Sequence, residues 1–176
     1  MVTHVIETNP SDERGTLLAF VEAQRGGLRR AVLGLSEEQA ALTPSASALS
    51  LGGLLKHAAQ AEDNWVRMAE GRPPAGSEDT WEDGFRLLEG ESVAGMLARW
   101  EEIAAETERF IRAVPDLEDT FPLPDAPWFP KGEVSMRWLL LHLVEEIGRH
   151  AGHADIIRES LDGRTAYELV AEAAGG

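Results

Sequence analysis

The stretch Arg137–Glu159, RWLLLHLVEEIGRHAGHADIIRE, places three histidines and a glutamate along one side of a helix. Imidazole and carboxylate are the donors that hold divalent transition metals when thiolates are absent, and this chain has no cysteine. At about 100° per residue, with His142 as zero, Glu146 falls near 40°, His150 near 80° and His153 near 20°. Trp138, Leu139, Ile156 and Ile157 fall within about 60° of the same origin, so the polar stripe is expected on the helix's most apolar face. A carboxylate and imidazoles buried there without partners would cost several kcal/mol, which calls for a bound cation or a hydrogen-bond network. Glu146 and His150, one turn apart at i and i+4, can reach a single point above the helix.

A metal centre that does chemistry takes about three protein ligands and keeps a position open. Two histidines remain outside the stretch. His4 lies in a polar N-terminal segment. His57, in SLGGLLKHAAQAEDNWVRMAEG, shares a helical face with Leu54, Ala61, Trp65 and Met68, with Asn64 close by. If the two helices face one another, His57, Glu146 and His150 form a His/Glu/His triad inside a helical bundle, where such sites are commonly built. Taken alone, each histidine also has a plain reading as a hydrogen-bonded core residue. His142 is expected to line the bundle one turn further along. His153 is expected to orient a ligand or bound water, or to act as a weak fourth ligand. Glu145 and Arg149 can reach the edge of the site or pair with each other at the surface.

The elements that must carry these residues read as helices, with no convincing period-2 strand. The first is expected to start after Ser11 and end near Gly34. A helical stub and a Ser/Pro-containing loop follow through LSEEQAALTPSASALS. The His57 helix spans about 50–70 and stops at Gly71 before Arg72-Pro73-Pro74. The acidic segment PPAGSEDTWEDGFRLLEG carries Trp81 and Phe85 and is expected to fold back over apolar surface, part of it covering a site. A third long helix runs from Val93 to Val114, with Val93, Leu97, Trp100, Ala104, Thr107 and Ile111 as its stripe. The proline-rich stretch PDLEDTFPLPDAPWFPKGEVS, with Phe121, Trp128 and Phe129, is expected to be an irregular crossover. The site helix spans about 134–161 and ends at Asp162-Gly163; a short helix, TAYELVAEAA, follows. The expected architecture is all-α, a four-helix bundle with long crossovers and a short C-terminal helix, in one domain over 1–176 with a flexible tail over 1–10.

Net charge is −15, from 31 acidic against 16 basic residues. That balance argues against nucleic-acid binding and against attraction to anionic membranes. Without cysteine there is no disulfide and no protein thiol nucleophile, so thiol chemistry requires a thiol in the substrate. No apolar run approaches the ~18 residues of a membrane span, and the N-terminus lacks signal-peptide character, so a cytoplasmic location is expected.

The segments LLKHAAQAEDNW and VSMRWLLLHLVEEIGRHAGHADIIRESLDG closely resemble the DinB-like superfamily of metal-binding four-helix bundles. The likeness is to its actinobacterial mini-circle branch, related to the mycothiol-dependent maleylpyruvate isomerases, and runs from QRGGLRRAVLGLSEEQA to the closing LDG. Where the family's usual run is HxxxHRGQ-like, Glu146 stands at the first metal position and His150 at the second, with Gly152-His153 in place of Gly-Gln. The family's earlier histidine corresponds to His57. The resemblance implies an up-down-down-up bundle, a divalent cation (zinc, nickel or iron) on His57, Glu146 and His150, a small-molecule thiol with an electrophilic co-substrate, and a homodimer. Glu in place of His leaves a dication with net charge +1 and moderates its Lewis acidity. Three activities fit these residues: metal-activated thiol S-transfer; metal-dependent hydrolysis or isomerisation, with His153 or His142 as the catalytic general base; and a non-enzymatic, metal-stabilised ligand-binding bundle.

Overall fold

A computed structural model describes residues 12–75, 80, 82–127 and 129–175. The expectations placed on Ser11, Trp81 and Trp128, and on the tail over 1–10, lie outside these residues. Four long helices dominate: α1 (Glu13–Ala31), α3 (Leu51–Ala69), α4 (Val93–Ala113) and α5 (Met136–Asp162), with a short α2 (Glu37–Ala41) and a terminal α6 (Ala166–Gly175). Their starts follow from side-chain capping. Asp12, Ser36, Ser50, Ser92 and Ser135 each accept a hydrogen bond from the amide three residues on, in α1 to α5 respectively, satisfying a donor the helix leaves orphaned. At the other end of α5, Gly163 adopts φ 77°, a left-handed cap that glycine reaches without a Cβ penalty.

Side-chain pairs fix the direction of each helix. Arg137, at the start of α5, pairs with Glu13 at the start of α1, and Arg158 near the end of α5 donates to the Ala31 and Leu33 carbonyls at the end of α1, both at 2.8 Å. These two helices are therefore parallel. His57 meets Glu146 while Trp65, two turns on, meets His142 and Trp138, so α3 runs against α5. Lys56 pairs with Glu91 and Asp63 with Arg99, so α3 and the chain entering α4 run the same way. The order is up-down-down-up, and the architecture is a four-helix bundle. Among the described residues no helix is long and apolar enough to cross a membrane.

Three expectations need correction. The crossover between α4 and α5 contains a small antiparallel ribbon, β1 (Thr120–Pro122) with β2 (Glu133–Ser135), in which Phe121 pairs with Val134. Strands of three residues are too short to show alternation. Leu97 in α4 is only partly buried, and Ile103 takes its place beside Trp100, Thr107 and Ile111. The buried face of α5 is also rotated from the expected stripe. Leu139, Leu140, Leu143, Ile147 and Ala154 are fully buried and centre at about 115° on the scale where His142 is zero, with about 100° per residue; Leu139 and Ile157 of the expected stripe are buried as expected. Ile156 is 59% exposed. The polar stripe consequently sits on the flank of the core face, where water can reach it.

One buried polar cluster sets the rotation of α3. Glu62 is fully buried and accepts from Arg25 Nε (3.0 Å) and Nη2 of α1, and from Trp100 Nε1 (2.8 Å) and Thr107 Oγ1 (2.6 Å) of α4. Burial alone would lower the Arg25 pKa, but the charge and hydrogen bonds of Glu62 outweigh it and hold it above its ordinary value. With Glu62 tied to α1 and α4, the His57 side of α3 is left facing α5.

Candidate metal centre

α5 presents Glu146 and His150 from successive turns, and α3 brings His57 to the same point. His57 Nε2 and His150 Nε2 stand 3.2 Å and 3.1 Å from a single oxygen, Glu146 Oε1. The two imidazoles meet edge to face, with centroids 4.7 Å apart. His150 is buried, while the Glu146 side chain retains 22% of its exposure, so the cluster opens to solvent on the carboxylate side. Hydrogen bonds from His150 and then His57 hold the Glu146 carboxyl well below the usual carboxylate range.

These residues fit a divalent cation. Their three donor atoms lie within 4.8 Å of one another. Ligands about 2.1 Å from a zinc-like ion sit about 3.0–3.5 Å apart at right-angled to tetrahedral bond angles, which covers both distances to Glu146. Two imidazoles and one carboxylate form a borderline N/O set suited to zinc, nickel or iron.

The other two histidines of the α5 stripe are placed differently. His142 stacks on Trp138, with centroids 4.8 Å apart and planes at 7°, and meets Trp65 at 4.5 Å. Burial lowers its pKa below the ordinary imidazole value, against the opposing charges of Glu146 and Glu145. It lines an aromatic row that Phe129 joins through Trp65, with centroids 5.7 Å apart. His153 is exposed, with its ring 5.5 Å from that of His150; it borders the triad without belonging to it. Glu145 and Arg149 pair with each other at the surface.

The expected fold-back of the acidic segment is present at Phe85. Its ring stacks on His57 with centroids 3.9 Å apart and planes at 19°. What makes this approach geometrically feasible was not read from the sequence: a Cβ at position 53 would overlap the Phe85 carbonyl oxygen, and one at 52 would crowd Leu87. The Gly52-Gly53 pair in the first turn of α3, where helix propensity disfavours glycine, is the available signal. Glu62 carries no comparable signal, since one acidic residue in a helical pattern looks like a solvated position.

Comparisons with known proteins bear on the same residues. A family model described as Mycothiol-S-transferase matches residues 16–163, a span that includes all three members of the triad. Among solved structures, a conserved protein from Enterococcus faecalis superposes with a TM-score of 0.69 over 86% of this chain and 98% of its own. At 14% sequence identity that likeness speaks for the fold alone. A search of curated proteins finds no match. With the family match spanning most of the bundle, the chain belongs to the mycothiol-S-transferase family of DinB-like proteins.

Proposed function

We propose that this protein is a metal-dependent S-transferase that joins a small-molecule thiol of the mycothiol type to an electrophile, with His57, Glu146 and His150 as the metal ligands. The observation that carries this reading is the convergence of two imidazole nitrogens on one carboxylate oxygen, from two helices, at an opening in the bundle surface. A divalent cation held there would supply Lewis acidity, lowering a thiol's pKa toward neutrality.

The chain's own residues account for the rest. With no cysteine, the protein contributes no competing thiol, and the sulfur nucleophile arrives with the substrate. Glu146 supplies an anionic donor that stays ionised. His153, exposed at the edge of the triad, accepts the proton released by the thiol and passes it to solvent. His142, stacked on Trp138 and against Trp65, stiffens the α3/α5 seam beside the triad and is the alternative general base.

Incubating metal-loaded protein with a bimane electrophile and, separately, mycothiol, bacillithiol or glutathione tests the proposal. Acceleration of conjugate formation is expected with mycothiol, and a chelator should abolish it. No acceleration with any of the three thiols would overturn the transferase reading.

A further inference from the structure

We propose that Phe85 is a positioning residue for the metal centre, fixing the plane in which the His57 imidazole meets Glu146 and His150. The inference rests on the reading of these three residues as metal ligands. The torsion that sets an imidazole's plane is sp3–sp2 and has broad wells, so neighbours must define it. Glu146 and His150 share one helix and constrain each other. His57 comes from another helix, and its ring has the phenyl face of Phe85 stacked on one side at 3.9 Å and the His150 ring beside its edge at 4.7 Å.

The segment carrying Phe85 is held firmly enough to impose that plane. A short 3-10 turn, Asp83–Phe85, lies directly on the first turns of α3, with the Phe85 carbonyl against the Cα of Gly53 and Leu87 against Gly52. Further along, Glu91 Oε2 accepts from the buried Lys56 Nζ at 2.9 Å and from the Leu88 amide at 2.7 Å. Asp83 closes the turn from the other end, accepting from Thr80 Oγ1 at 2.8 Å and Arg86 Nε at 2.9 Å. An imidazole bound to a cation carries more positive charge than a free one, and an aromatic face stabilises that charge. The stack therefore favours the loaded state as well as the ring's plane.

The test uses cobalt(II), whose visible spectrum reports ligand geometry, in the full chain and in Phe85→Leu and Phe85→Tyr. Phe85→Leu keeps apolar volume without a π face, and should weaken cobalt and zinc binding about tenfold, the low end of the effect of removing a group that orients a ligand, and shift the cobalt bands. Phe85→Tyr keeps the ring and should restore both, with thermal midpoints alike across the series. Wild-type affinity and spectrum in Phe85→Leu would overturn the proposal and leave the triad intact. So would equal losses in Phe85→Leu and Phe85→Tyr. Absence of cobalt binding in the wild-type protein would overturn the metal reading and this inference together.

Discussion

Glu62→Leu is expected to lower the stability of the fold by about 3–5 kcal/mol, the usual cost of stripping one partner from a buried ion pair. The substitution leaves Arg25, 4% exposed, with Glu22 as its remaining carboxylate partner among the described residues, and Glu22 is itself half exposed. It also removes the acceptor for the Trp100 indole N–H and takes the carboxylate from the Thr107 hydroxyl, whose single proton can turn to the Ile103 carbonyl at 3.0 Å instead. Set against total stabilities of about 5–15 kcal/mol for folded domains, the loss is large. Urea denaturation followed by circular dichroism measures it. Pairing Glu62→Leu with Arg25→Met should recover much of the loss, because the orphaned charge goes with its partner. A shift below about 0.5 kcal/mol in the single variant would mean that this cluster does not hold the helices in place.

His57→Ala is expected to reduce thiol transfer at least ~1000-fold, equivalent to about 4 kcal/mol of transition-state stabilisation lost with a metal centre. His57 lies outside the apolar core cluster and its hydrogen bond runs to Glu146 within the site, so truncation there should leave the fold standing; the separation of activity from stability is what marks the site. Comparing initial rates and thermal midpoints of the two proteins reads both quantities. A variant that retained more than about a tenth of the rate would show that the triad is not where transfer occurs.

The long helices could be read from the sequence because their ends are chemically marked. Gly71 follows α3 with φ 70°, and Gly163 ends α5 with φ 77°. The triad was readable because histidine and glutamate are conspicuous on apolar helices at i and i+4 spacing. The rotation of α5 was not. Leu139 and Ile157 of the expected stripe are buried, but Trp138 is only partly so and Ile156 is exposed, while Leu140, Leu143 and Ile147 carry the core face round and move the polar stripe to the rim. That displacement matters chemically, since a rim position gives a substrate access that a mid-core stripe would deny. β1 and β2 exist through tertiary pairing between Phe121 and Val134, which local periodicity does not encode. Glu62 is likewise defined by residues far away in sequence, Arg25, Trp100 and Thr107.

The central claim is that two helices build one metal centre whose anionic ligand is Glu146. Elemental analysis of untagged protein, beside Glu146→Gln prepared the same way, tests it most directly. The side chains are nearly isosteric, and the amide removes the charge that leaves a bound dication at net +1. One divalent transition metal per chain is expected in the wild-type protein, and its loss from the variant. Equal occupancy in the two proteins, or no metal in either after reconstitution, would contradict it.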